Sequence, residues 1–168
     1  VAALASLAMV GWRWHRWRRQ DMASRLDPIK AMVRRSFPEV TAITTAQLAA
    51  TIERGAPLVL LDVRTAEEYR VSHLPGAVRV DLDARALDVV LDPAAAVVAY
   101  CSVGWRSARL ARRLASVGVN VVNLEGSIFE WVAKGLPVVD DRGVPVRVVH
   151  PFSRSWAWLV DPSLRRFG

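Results

Sequence analysis

The sequence predicts an α/β domain built on a mostly parallel central sheet with helices on both faces. Three observations predict it. From residue 41 onward, short apolar runs alternate with helix signatures. The strand candidates are continuous apolar runs rather than alternating ones, as strands buried on both faces must be. Two capping boxes, Thr44-Thr45-Ala46-Gln47 and Thr65-Ala66-Glu67-Glu68, mark helix starts between those runs. With 168 residues, 52% of them hydrophobic, the chain has material for one sizeable core, which excludes a wholly disordered chain.

Each element follows in order. Asp27-Pro28 reads as the start of a short amphipathic helix, with Ile29, Met32, Val33 and Phe37 on one face and Pro38 at its end. Thr44 opens a helix running to about Arg54, with Gly55 beyond it. Residues 57–61 form a buried strand, Thr65 opens a short helix, and residues 77–80 form a weak strand. Residues 94–100 contain a second buried strand that delivers Cys101 at its carboxyl end. Residues 106–117 are an amphipathic helix with Leu110, Leu114 and Val117 inward and Arg109, Arg112 and Arg113 outward; Gly118 closes it. A strand over 120–124 and a helix over 127–134, capped by Gly135, complete the rhythm.

The ends differ from the middle. Residues 1–40 hold eight basic and three acidic residues, residues 41–140 ten and eleven, and residues 141–168 five and two. The net charge of +7 therefore resides in the two ends. A nucleic-acid enzyme would carry its basic excess around the working site, so no nucleic acid partner is expected. Residues 1–12 carry no charge, and Trp12, Trp14 and Trp17 are then interleaved with Arg13, Arg16, Arg18 and Arg19. Twelve helical residues span ~18 Å against a hydrocarbon core of ~30 Å. Interfacial attachment to an anionic membrane, with the basic flank on the cytoplasmic side, is the expectation for residues 1–20; a segment preceding Val1 could complete an anchor. Residues 140–168 lose the strand–helix rhythm and read as an extension that docks on the domain or on a membrane. The organisation expected is thus 1–40 lead-in, 41–139 domain, 140–168 extension.

Cys101 is the only cysteine, so one chain can build neither an internal disulfide nor a cysteine-based metal site. His15, His73 and His150 match no metal-ligand spacing, and no metal is expected. A cysteine at the carboxyl end of a buried strand, before a helix, stands where α/β sheets place ligands. The loop Cys101-Ser102-Val103-Gly104-Trp105-Arg106-Ser107 has a glycine for a tight turn. Its N–H groups can form an anion nest, and the next helix adds its positive end. Both favour a thiolate. Arg106 adds a fork-shaped cation suited to an anionic substrate. Trp105 either shapes the pocket mouth or packs. Alone, a buried cysteine is more often a small core residue.

The surrounding residues decide otherwise. Asp62-Val63-Arg64 follows a buried strand, then come Glu68-Tyr69, His73-Leu74-Pro75-Gly76-Ala77, Tyr100 to Ser107, Leu124-Glu125-Gly126 and Trp131. This array, in this order, resembles the rhodanese homology domain over roughly residues 41–139, in its single-domain form. The resemblance implies a rhodanese-like fold and sulfur transfer through a persulfide on Cys101, with no cofactor. It implies a sulfane-sulfur donor, either thiosulfate or a thiol-bound persulfide, and a thiol, cyanide or sulfur-carrier acceptor. Ser102, Val103, Gly104, Trp105, Arg106 and Ser107 form the substrate loop.

Asp62, Arg64 and His73 read as structural support: the first two hydrogen-bond loops beside the site, and His73 satisfies backbone groups near Pro75-Gly76. Glu68 and Tyr69 read as capping and packing residues. Ser102 stands where many rhodaneses have a basic residue, Ser127 where a second glycine is frequent, and Ser72 where a glycine often precedes the histidine. Two other readings remain: a non-catalytic rhodanese-like binding module, and a phosphatase or arsenate reductase of the same fold. Phosphatases of this fold have one more residue between cysteine and arginine; four intervene here.

Overall fold

The computed structural model describes residues 21–83 and 94–168. Helix α1 occupies 21–36 of these. It is followed by β1 (Ala42–Ile43), α2 (Thr45–Glu53), β2 (Leu58–Asp62), α3 (Ala66–Val71), β3 (Val78–Arg79) and β4 (Ala96–Tyr100). Then come α4 (Trp105–Ala115), β5 (Val122–Leu124), α5 (Ser127–Ala133), β6 (Val138–Val139) and β7 (Pro145–Val146). Two 3-10 turns, Ala157–Leu159 and Pro162–Leu164, lie near the end.

The central sheet has five strands, all parallel, in the order β1-β5-β4-β2-β3. β2 and β4 are its middle, paired from Leu58↔Ala96 to Asp62↔Tyr100. That register puts Asp62 beside Tyr100 and lets Val63 donate to the Tyr100 carbonyl at 3.0 Å, so the two strands end together at Cys101. Successive residues of a strand face opposite sides. Leu60, Val98 and Tyr100 accordingly join one cluster, with α1, α2, α5 and the C-terminal segment. Leu61, Val97, Ala99 and Cys101 join the other, against Leu110, Ala111 and Leu114 of α4. Burying each of these leucines contributes about 1.5–3 kcal/mol. Helices therefore cover both faces, as the sequence predicts.

Both predicted capping boxes form: the Thr44 and Thr65 hydroxyls accept from the N–H groups of Gln47 and Glu68, whose side chains reach back to the cap N–H groups. Three expectations fail. Asp27 and Pro28 do not start α1 but lie within it. The reason is packing: Met22 and Leu26 are fully buried and extend the stripe of Ile29, Val33 and Phe37 by two turns. That gain outweighs the hydrogen bond Pro28 cannot donate. Met32 is not part of the stripe and is 38% exposed. Val117 is exposed as well, because α4 ends at Ala115 and the chain turns through Gly118.

Helix α1 is fastened by charge as well. Lys30 bonds Glu130 of α5 at 3.3 Å, Arg34 pairs with Glu125, and the Arg112 guanidinium lies 4.3 Å from the Phe37 ring. After α5, β6 and β7 form an antiparallel hairpin, and Val139 also exchanges backbone hydrogen bonds with His73. Val149, Leu159, Val160 and Leu164 are buried in the larger cluster, so the extension packs on the domain. The expected membrane segment, residues 1–20, lies outside the described residues. Among the described residues, no helix is long and apolar enough to cross a membrane.

Candidate active site

The site is the β4–α4 loop, and its shape follows from how its two ends are held. Cys101 and Ser102 offer their carbonyls to the N–H groups of Ile128 and Phe129 in the first turn of α5, at 3.2 and 3.1 Å. The Cys101 N–H donates to Ser127 Oγ at 3.1 Å. With those groups satisfied on the α5 side, the later N–H groups of the loop are free to turn inward. Gly104, at φ 104°, makes that turn, a conformation in which a side chain is strained. Its N–H then lies 3.2 Å from Cys101 Sγ.

Burial alone raises the Cys101 thiol. The Arg106 charge, the N–H groups of Ser107 and Gly104 and the Ser107 hydroxyl oppose this and bring it below its ordinary value. The Ser107 hydroxyl also donates to Asn123 Oδ1 at 2.6 Å, tying the first turn of α4 to β5.

The Arg106 fork, expected to meet an anionic substrate, is engaged by neighbouring side chains of the chain itself. Its two terminal nitrogens meet the two oxygens of Glu68 at 2.8 and 2.7 Å, and one also bonds Ser102 Oγ at 2.9 Å. Ser102 in turn donates to Glu68 at 3.0 Å. Glu68 is 1% exposed. Burial raises its carboxyl, but hydrogen bonds and charge from Arg106, with the Thr65 N–H and Arg64, hold it down at about 2. Glu68 is thus the residue whose role sequence reading missed. The capping box explained it locally, and nothing local signalled a partner 38 positions away.

Cys101 forms the floor of a cavity of about 300 Å³. Val103, Trp105 and Arg106 of the loop line it, together with Met32 of α1 and Phe152 and Trp156 of the C-terminal segment. The last three were not anticipated: their apolar character was visible, but not that both flanking segments fold over one loop. Trp105 both lines the cavity and packs edge-on against Phe37, with ring centroids 5.0 Å apart.

A model of the Rhodanese-like domain family matches residues 44–134, more than half of the chain. The chain belongs to this family. It is 30% identical over 108 residues to a sulfurtransferase of Allochromatium vinosum, covering 62% of this chain and 99% of that protein. It is also 36% identical over 111 residues to the HTH-type transcriptional regulator Rv0324 of Mycobacterium tuberculosis. That match covers 62% of this chain, which spans only 46% of the regulator. Among solved structures, a rhodanese-related protein from Thermoplasma volcanium superposes with a TM-score of 0.52 at 28% identity, over 59% of this chain and 97% of that one. The family and the sulfurtransferase relative support a sulfurtransferase-like role.

Of the remaining residues read from the sequence, Ser127 bonds Cys101 directly, while Asp62, Arg64 and His73 bond around β2 and α3. Asp62 and Arg64 are fully buried and paired, with Nη2 to Oδ2 at 2.6 Å. Arg64 also donates to the Ser72 carbonyl at 2.6 Å, fixing the segment after α3. His73 does not serve Pro75-Gly76, where the Ala77 N–H closes the turn onto the Leu74 carbonyl. Instead its ring stacks on Tyr69 at 3.7 Å, and Nδ1 lies 3.1 Å from the Tyr69 carbonyl. Ser127 is more than a tolerated replacement for glycine. At φ 50° its hydroxyl accepts from Cys101 N–H and donates to the Leu124 carbonyl at 3.0 Å.

Proposed function

We propose that the chain is a sulfurtransferase that carries sulfane sulfur as a persulfide on Cys101. The observation that carries this reading is Sγ at the floor of an open cavity with the Gly104 N–H 3.2 Å away. The Cys101 thiolate attacks the terminal sulfur of the donor. The bond from that sulfur to the donor breaks, and its electron pair leaves with the donor remnant, as sulfite from thiosulfate or as a thiolate from an organic persulfide. An S–S bond to Cys101 is formed. A thiophilic acceptor such as a thiol, cyanide or a sulfur-carrier protein then attacks the outer sulfur and regenerates the thiolate. The inward N–H groups and the α4 N-terminus stabilise negative charge on sulfur in both states. Intact mass after incubation with a sulfane donor tests this: the chain gains one sulfur atom, and cyanide removes it. No gain with any donor leaves a binding module.

We further propose attachment of residues 1–20 to an anionic membrane surface on the cytoplasmic side, on the strength of their alternating Trp and Arg. Since Met22 and Leu26 belong to the core, the comparison chain begins at Asp21. The full chain sediments with anionic liposomes and the shortened chain does not. Equal behaviour of the two overturns the attachment.

A further inference from the structure

The apolar walls of the cavity and the occupied Arg106 fork together point to the chemistry of the donor. Thiosulfate is a small dianion, and its recognition calls for a cation whose charge is not already paired. Arg106 is the one cationic side chain among the described residues that line the cavity. Both its terminal nitrogens are bound to Glu68, and the Phe152 ring covers its face, with 4.8 Å from guanidinium carbon to ring centroid. Ser102 Oγ is bound within the same cluster.

The other described side chains that face the cavity, Ser102 and the thiol aside, are apolar. Met32 is 38% exposed, Trp105 39% and Phe152 43%. Three separate elements bring these side chains there: α1, the start of α4 and the C-terminal segment. Phe152 holds a positive φ of 69°, a backbone conformation costly for an aromatic residue. The Phe152 N–H donates to His150 Nδ1 at 3.2 Å, and the ring meets Trp156 edge-on at 6.0 Å. The chain thus maintains a strained turn that sets an aromatic ring over Arg106. A cavity of about 300 Å³ is at the lower end of the size that holds a small organic ligand, and is larger than one sulfur atom needs.

We infer that the donor is an organic sulfane-sulfur compound whose carrier group is apolar and of about the size of an aromatic ring, held between Met32, Trp105, Phe152 and Trp156. This rests on the sulfurtransferase reading and specifies its substrate class. For an organic persulfide, R–S–S⁻, the Cys101 thiolate forms a bond to the terminal sulfur and the inner S–S bond breaks. R–S⁻ leaves with the electron pair and can take up a proton from water. The apolar wall takes the R group out of water when the donor binds, which raises kcat/KM for such donors.

The test varies R alone. Organic thiosulfonates, R–SO₂–S⁻, share one reacting sulfur and one charge, and release a sulfinate when Cys101 takes that sulfur. Methanethiosulfonate, benzenethiosulfonate and thiosulfate are each mixed with the full chain, and sulfur gain on Cys101 is followed by intact mass. Each rate is divided by that donor's rate with free cysteine. The normalised rate for the benzene donor exceeds that for the methane donor by about tenfold or more. Trp156→Ala and, from a separate element, Met32→Ala each lower that ratio by about threefold or more. Because the readout is a ratio within one protein, a variant of reduced folded fraction still reports it. A benzene-to-methane ratio near one, or thiosulfate outpacing the benzene donor, overturns the inference while sulfur transfer itself stands. Sulfur gain from no donor overturns the sulfurtransferase reading instead.

Discussion

Glu68 and Arg106 face each other as a two-pronged ion pair beside the thiol, carboxylate oxygens 2.8 and 2.7 Å from the guanidinium nitrogens. The pair makes α3 and α4 one unit, since Glu68 also caps α3 through the Thr65 N–H. It leaves Cys101 under the influence of a positive charge that is itself partly neutralised.

Removing either partner should therefore move the thiol in opposite directions. Glu68→Gln takes away the negative charge and leaves Arg106 acting alone, so the midpoint for alkylation of Cys101 by neutral iodoacetamide falls to lower pH. Arg106→Ala removes the cation and leaves a buried carboxylate near the sulfur, so the midpoint rises. Each change breaks a largely buried pair and costs about 3 kcal/mol of stability, read from denaturant unfolding. Midpoints that move the same way would separate the pair from the thiol.

The pair also sets a pH window. The Glu68 carboxyl ordinarily titrates at 4.5 and is held at about 2 in the folded chain. A folded-state value below the unfolded one contributes stability that is complete above about pH 4.5 and is lost as pH falls toward 2. The depression corresponds to roughly 3 kcal/mol. Unfolding free energy measured between pH 6 and 3 should decline in the wild type, and Glu68→Gln should show a shallower decline over the same range. Identical slopes would place the acid sensitivity elsewhere.

The middle of the fold was legible because its signals are local. The two capping boxes, the continuous strand runs leading to Asp62 and to Cys101, and the glycine of the Cys101 loop each declare themselves within a few residues. The start of α1 was not, because Asp27-Pro28 carries a strong local start signal that the burial of Met22 and Leu26 overrides. β1 was missed for the opposite reason. Ala42 and Ile43 are too few to show a pattern, and their strand character comes from pairing with Asn123 and Leu124. At the site, Cys101 and its loop were legible, whereas Met32, Phe152 and Trp156 reach the cavity only through tertiary packing of both ends.

Cys101→Ser should abolish cyanide-dependent thiocyanate formation. An alcohol at that position is a far weaker nucleophile toward sulfur and forms no persulfide. The side chain is 1% exposed and close in size to serine, so circular dichroism and the unfolding transition should change little. Persisting turnover in a folded variant would assign the sulfur carrier elsewhere.

Ser127 offers a test in which two small substitutions are ranked. Its hydroxyl is the acceptor for the buried Cys101 N–H, and its backbone sits at φ 50°, a region where a side chain is disfavoured. Ser127→Ala removes the acceptor and retains the strained backbone. Leaving that donor unsatisfied costs about 1–3 kcal/mol. Ser127→Gly removes the same acceptor but relieves the strain, which returns about 1 kcal/mol. The alanine variant should therefore be the less stable of the two, with both below the wild type in thermal unfolding. Both should also slow sulfur uptake, because the Cys101 peptide is no longer fixed from the α5 side and the Gly104 N–H no longer meets Sγ at a set distance. If the glycine variant proves the less stable, the positive φ is not strained. If both match the wild type, the serine is a loop residue and the Cys101 peptide is held by the Ile128 and Phe129 contacts alone.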